Sequence, residues 1–310
     1  MKHIGLALCV LIFAGLLYPA AVFVRAHAQI RAIEPELPSR ADLIAAIDVE
    51  DGPVGVSYLN TSSQPIDDAS EMGHPAFVFE WADGRRFMLD AGMQRDEALE
   101  FGKPLELLLG AGPAVGHGSV VELMEGGAST VAGIAFTHLH VDHTGGIIPL
   151  CGALDRPLPV FQTPWQADER NYTTDMGYEH IVAAGCARPE RLSGGAIHRI
   201  PGFPGLVAVA AGGHTPGSTM YMAQINGQGW LFSGDVTNSR VELVDNTPKE
   251  RLYSLFIVPE APERLEVLRL WLAALDRDEA IRVVVSHDLT ALEGSGLSAW
   301  SERDRGHRER

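Results

Sequence analysis

Ten consecutive residues restrict this chain more than the rest of its 310: Thr137-His138-Leu139-His140-Val141-Asp142-His143-Thr144-Gly145-Gly146 places three imidazoles and a carboxylate within six positions. The apolar run 131–136 leads straight into it and reads as a short strand ending in a polar loop. In extended geometry alternate side chains share a face, so His138, His140 and Asp142 are expected to point together. A turn at Asp142-His143 then swings His143 towards a second centre. Gly145-Gly146 permits a tight turn and a helix start close by. Imidazole nitrogen and carboxylate oxygen suit first-row divalent ions, and a catalytic ion needs about three protein ligands plus an open position. Two ions need roughly six or seven ligands, of which the cluster supplies four. His214 in G-G-H-T-P-G-S, Asp235 in S-G-D and His287 in S-H-D are the candidates for the remainder.

Residues 76–81, the turn Asp83-Gly84 and residues 85–90 read as a β-hairpin ending at Asp90. A second hairpin, 220–225 and 229–235 about Asn226-Gly227, ends at Asp235, and the runs 206–214 and 281–288 deliver His214 and His287 in the same way. Residues 262–275 predict a helix, with Pro262 at its start and Leu265, Leu268, Leu272 and Leu275 at helical spacing. Strands alternating with helices, and polar loops at strand ends, suit a layered α/β fold. Forty acidic against 24 basic residues give a formal charge of -16, which disfavours nucleic acid and anionic surfaces as partners. Of the 12 histidines, His74, His117, His180, His198 and His307 have no evident task.

Residues 1–28 combine a basic start, an apolar run over 4–24 and Ala26-His27-Ala28, the small-x-small pattern of a signal-peptide cleavage site. Export to the periplasm or the exterior is expected, with cleavage after Ala28. The run also approaches the roughly 20 residues of a bilayer span, so an uncleaved anchor is the alternative and the only expected membrane contact. Cys151 and Cys186 would then lie in an oxidising compartment, either paired or as two buried thiols. The expected organisation is a signal peptide or anchor (1–28), an N-terminal extension lying over the main domain (29–75), the main domain (76–300) and a charged tail (301–310). Oligomeric state is open.

Through residues 137–146, G-H-T-P-G-S, S-G-D and S-H-D, the chain from about 76 to 289 resembles the metallo-β-lactamase superfamily. The resemblance implies a four-layer αβ/βα sandwich with two divalent metal ions, zinc being expected, in a cleft along one edge. It implies that His138, His140 and His214 hold the first metal, that Asp142, His143 and His287 hold the second, that Asp235 bridges them, and that Asp90 supports the site from behind. His140 stands where the oxygen-reducing di-iron members carry Glu, which favours hydrolysis. Asp235 stands where the third subclass of true β-lactamases carries Ser and the first Cys, which points to the branch resembling glyoxalase II, acyl-homoserine lactonases and organophosphate hydrolases. Asn238, three residues after Asp235, replaces a Tyr of the well-known lactonases.

The implied activity is hydrolysis of an ester or lactone carbonyl by a metal-bridging hydroxide, most like that of N-acyl homoserine lactonase-type enzymes, with Asp142 as the catalytic proton shuttle. β-Lactam hydrolysis and a non-catalytic metal-binding or sensing domain are the alternatives. Trp165, Tyr172, Met176, Tyr178 and Ile181 either line a pocket over the metals or pack a helix against the sandwich.

Overall fold

The computed structural model describes residues 2–67 and 70–300, with side chains from Leu17 onward except those of Leu109 and Phe256. Strands β1 (Gly55–Pro65), β2 (Glu71–Glu80), β3 (Arg86–Leu89), β4 (Val115–Gly116), β5 (Val131–Ala135), β6 (Leu158–Gln162) and β7 (Ala187–Arg191) belong to a large sheet. Strands β8 (His198–Arg199), β9 (Leu206–Ala210), β10 (Thr219–Ile225), β11 (Gln228–Phe232) and β12 (Ile281–Val284) form a smaller one, and β13 (Ser298–Ala299) returns to the edge of the first beside β1. The helices are α1 (Lys2–Arg31), α2 (Arg40–Ile47), α3 (Arg95–Leu109), α4 (Val120–Leu123), α5 (Val141–Thr144), α6 (Ile147–Gly152), α7 (Pro164–Asp168), α8 (Asp175–Ala183), α9 (Arg240–Asp245), α10 (Arg251–Phe256), α11 (Pro262–Asp276) and α12 (Leu289–Glu293).

Alternation along β2 explains the layering. Phe77 and Phe79 face the small sheet and meet Phe232, Tyr221 and Phe203, whereas Ala76 and Val78 face outward against Val120, Met124, Ile147 and Leu150. The small sheet repeats this: Val207, Val209, Met220 and Met222 face Leu43 and Ile47 of α2 and Leu265, Leu268 and Leu272 of α11. Three apolar cores between four layers make the expected αβ/βα sandwich. Each fully buried Phe contributes about 2–3 kcal/mol of transfer free energy to it. The second hairpin turns as expected on Asn226 and Gly227, with φ of 53° and 81°.

Two register features bring the site together. β3 pairs parallel with β5, and β11 parallel with β12, so each pair delivers its polar loop at one end. The Thr219 N–H donates to the Thr137 carbonyl at 2.7 Å and ties the two sheets there. β1 falls among residues expected to form an extension, but it pairs along its length with β2 inside the large sheet. Its segment Thr61-Ser62-Ser63-Gln64 is polar throughout, yet all four residues are buried.

Cys151 and Cys186 form a disulfide, which resolves the alternative left by the sequence. The end of α1 packs on the body: Ala26, His27 and Ile30 are buried, the His27 ring bonds the Leu255 carbonyl at 3.0 Å, and Gln29 Nε2 donates to Glu169 at 2.7 Å. Among the described residues no helix is long and apolar enough to cross a membrane. The side chains of residues 1–16, which carry most of the apolar run, and the tail 301–310 lie outside the described residues.

Candidate metal centre

Asp90 ends β3 with φ of 58°, a left-handed conformation that Asp adopts more readily than most residues. Its buried carboxylate accepts the Thr137 N–H at 2.7 Å, the Thr137 hydroxyl at 2.9 Å and His143 Nδ1 at 3.0 Å. The chain leaves β5, bends at Thr137-His138, is extended at His140 and then enters α5 at Val141. This helical turn separates Asp142 from His138 and His140, so the face expected to join those three ends at His140. A Cβ on Gly146 would lie 2.1 Å from the Ala91 carbonyl, and only glycine lets α6 begin against the Asp90 loop.

His138 Nε2 lies 3.0 Å from His140 Nδ1, which lies 3.2 Å from His214 Nε2. A neutral imidazole donates from one nitrogen only, so three facing one point leave lone pairs for a cation. In the second group His143 Nε2 is 3.5 Å from Asp142 Oδ2 and 3.4 Å from Asp235 Oδ1. His287 Nε2 is 2.9 Å from Asp235 Oδ2 and 3.5 Å from Asp142 Oδ2. Asp235 Oδ2 also stands 3.8 Å from His138 Nε2 and 3.6 Å from His214 Nε2, between the two groups. All seven expected ligands are thus brought together, with Asp90 behind them.

The rear nitrogens of four of these imidazoles are anchored. His138 Nδ1 meets Thr137 Oγ1 at 3.2 Å, His143 Nδ1 meets Asp90, His287 Nδ1 donates to the Gly73 carbonyl at 2.8 Å, and His214 Nδ1 donates to Glu260 Oε1 at 2.6 Å. Such contacts fix the tautomer and aim the free lone pair inward. Glu260, missed from the sequence, also accepts the buried Lys249 ammonium at 3.0 Å, and Lys249 donates to the Asp235 carbonyl at 2.8 Å. Lys249 carried a signal as one of only three lysines, whereas Glu260 was one of 40 acids.

Among the described residues the buried carboxylates are Asp90, Asp142, Asp235 and Glu260, and all four converge here, beside the one buried lysine. Burial, with His143 beside it, holds the His138 imidazole well below its ordinary value; burial and His214 bring His140 to about 3. Burial and the Lys249 charge lower His214. For Asp142 and Asp235 burial acts upward, but the surrounding imidazoles outweigh it and both stay well below the usual carboxylate range. Burial likewise opposes the upward shifts of His143 and His287, which the adjoining carboxylates impose. Neutral imidazoles and ionised carboxylates are the ligating forms, so an ion bound at His143 and His287 displaces the protons that the carboxylates hold there. The buried His143 Nε2 and Asp235 Oδ1 have no hydrogen-bond partner although they face each other's group, so the donor set fits divalent ions.

A search of the curated proteins found no match. Among solved structures the chain is similar to a quorum-quenching N-acyl homoserine lactone lactonase, at 15% identity and a TM-score of 0.58 over 80% of this chain and 98% of that one. It is similar to an N-acyl homoserine lactone hydrolase bearing N-hexanoyl-L-homoserine at its catalytic metal centre, at 15% and 0.57 over 79% and 98%. A probable metal-dependent hydrolase from Staphylococcus aureus matches at 13% and 0.52 over 77% and 91%. At these identities the likeness is one of fold. The family model described as the metallo-beta-lactamase superfamily matches residues 70–287, a span that takes in both donor groups and their anchors. The chain therefore belongs to the metallo-beta-lactamase superfamily.

Proposed function

We propose that this hydrolase uses two divalent ions, zinc in the first instance, to cleave an ester or lactone bond in a small molecule with an apolar portion. The observation that carries the reading is Asp235, whose carboxylate lies within 3.8 Å of imidazoles from both donor groups. His138, His140 and His214 would hold one ion, Asp142, His143 and His287 the other, and Asp235 both. Divalent ions in such a site polarise a carbonyl and acidify water to about neutral pKa.

The chain's own residues supply the rest. Asp142, kept ionised, is placed to accept and return a proton. The Tyr253 phenol on α10 stays protonated far above its ordinary value, through burial and then the charges of Glu260, Asp235 and Asp142, and with its ring 5.8 Å from Lys249 Nζ it is the candidate hydroxyl donor. It offers a hydroxyl that Asn238 cannot. α7 is pinned beside the site by Gln166 Nε2, which donates to the Phe136 carbonyl at 2.9 Å and the Gly217 carbonyl at 3.1 Å. α8 rests on Leu139, whose carbonyl would lie 2.1 Å from a Cβ on Gly177. Ile181 is buried and Tyr178 is covered by Arg170, so these two pack the insert, while Trp165, Tyr172 and Met176 remain accessible to an acyl chain. Similarity of fold to the lactone-cleaving enzymes supports the substrate class.

Export accords with the disulfide, which persists in oxidising compartments. Cleavage after Ala28 would keep the Gln29–Glu169 contact and buried Ile30, and give up the His27–Leu255 bond. The deciding experiment assays lactones of graded acyl length, aryl esters, a phosphotriester and the β-lactam nitrocefin, with bound metal quantified. Turnover of lactones or esters that disappears on chelation is expected. Exclusive turnover of nitrocefin, or none of any substrate at full metal occupancy, overturns the reading.

A further inference from the structure

His74 stands on β2 immediately before Pro75 and is 3% exposed. Its backbone is fixed on both sides: the N–H donates to Asn60 Oδ1 at 3.0 Å and the carbonyl accepts the Thr61 hydroxyl at 2.8 Å. Neighbouring Gly73 exchanges two bonds with His287, N–H to carbonyl at 3.0 Å and carbonyl to Nδ1 at 2.8 Å, so β2 is in register with the loop that supplies a site imidazole. The His74 and His287 rings lie 4.9 Å apart, edge to face.

His74 Nδ1 is 3.2 Å from Asp142 Oδ2, both atoms buried, and the two side chains interact without the geometry of a well-directed hydrogen bond. Two donors close together but not aimed at one another are what two ligands of a common cation look like; bonds of about 2.0–2.2 Å place adjacent ligand atoms about 3 Å apart. His143 Nε2 and Asp235 Oδ1 are buried and unpartnered in the same way. Donor atoms of His74, Asp142 and His287 all lie within 4.8 Å of one another.

We propose that His74 Nδ1 is a further ligand of the second metal centre. With Asp142, His143, His287 and the shared Asp235, protein donors there exceed the tetrahedral set that zinc prefers. The centre then suits five- or six-coordinate ions such as manganese, iron or cobalt as well as zinc. This assignment rests on the two-metal reading above, and the test separates the two.

Full-length protein stripped with a chelator is titrated with Co2+ alone, following visible absorption and bound stoichiometry, for wild type, His74→Leu and His74→Asn. Asn can return a donor atom near the Nδ1 position. The metal-free thermal unfolding of each variant reports its fold. Expected is a second cobalt equivalent in wild type with the weak absorption of high coordination. In His74→Leu that equivalent should bind at least 10–100-fold more weakly, absorb more strongly, and leave the first equivalent unchanged; His74→Asn should recover part of the affinity. A folded His74→Leu protein binding both equivalents with wild-type affinity and spectrum overturns the role of His74 alone, and so does equal weakening of both. Wild type that takes up a single equivalent overturns the two-metal reading together with it.

Discussion

Replacing Glu260 by Gln tests the buried chain Lys249–Glu260–His214. Gln retains an acceptor for His214 Nδ1 but removes the charge that faces Lys249 at 3.0 Å. Burial acts to raise the Glu260 carboxyl, but Lys249 first and His214 next bring it down to about 2 from 4.5. At about 1.4 kcal/mol per unit that difference is worth on the order of 3 kcal/mol, close to the 3–5 kcal/mol lost when a buried ion pair is broken. A depressed carboxyl stabilises the fold above its unfolded value and loses that contribution as pH falls through the folded one. The gap between wild type and E260Q in the metal-free protein is therefore expected to be flat from about pH 6 to 8, and roughly halved near pH 3. Urea unfolding across this range measures it. Competition with a chromophoric chelator should show metal affinity reduced about 10–100-fold, because the anchor of a ligating imidazole is weakened. A gap below about 1 kcal/mol at pH 7, or one that does not narrow in acid, with metal affinity unchanged, refutes the reasoning. Lys249→Met/Glu260→Leu removes both charges and should recover much of the stability without restoring metal affinity.

Asp235→Ala, which removes the carboxylate between the donor groups, should cost metal content and turnover together, as should His140→Ala; elemental analysis alongside the substrate panel checks both, and full turnover in either variant contradicts the site. Tyr253→Phe should lower kcat about tenfold, the worth of one hydrogen bond to a charged state, with metal content intact; an unchanged kcat removes Tyr253 from the reaction. Cys151→Ser/Cys186→Ser opens a link across a sequence separation of 35 and should cost about 3–4 kcal/mol in denaturant unfolding under oxidising conditions, with kcat/KM unchanged.

The donors that the sequence displayed are those whose geometry is local. Residues 137–146 carry a strand end, a tight turn and four ligands in one stretch, and His214, Asp235 and His287 each close an apolar run that becomes a strand or its continuation. The partition of those donors was less legible. Of the three residues that alternation would place together only His138 and His140 share a group, because the helical turn from Val141 moves Asp142 to the other. Glu260 lies 46 residues from His214, just before a helix whose pattern speaks only of packing, so nothing near it in the chain announces its partner. His74 is equally mute, because its neighbours come from β1, α5 and the loop after β12.

β1 shows why composition misled there. A run of Thr, Ser and Gln signals solvent when its polar atoms have no internal partner, but here they brace loops. Thr61 Oγ1 donates to the His74 carbonyl at 2.8 Å and accepts the Met93 N–H at 3.1 Å, which links β2 to the segment after Asp90. Gln64 Nε2 donates to the Gly102 and Gly112 carbonyls at 3.1 and 2.9 Å and holds the middle of α3 and the segment after it against the sheet. Apolar residues at these positions would leave buried carbonyls and an N–H unsatisfied, each at a cost of about 1–3 kcal/mol. They would also release the elements that carry His74 and Asp90. The polar strand is thus a consequence of the metal centre's demand for a rigid floor: a site that must hold several charged groups a few ångströms apart needs its loops anchored from below by hydrogen bonds, because apolar packing alone does not fix a loop's register.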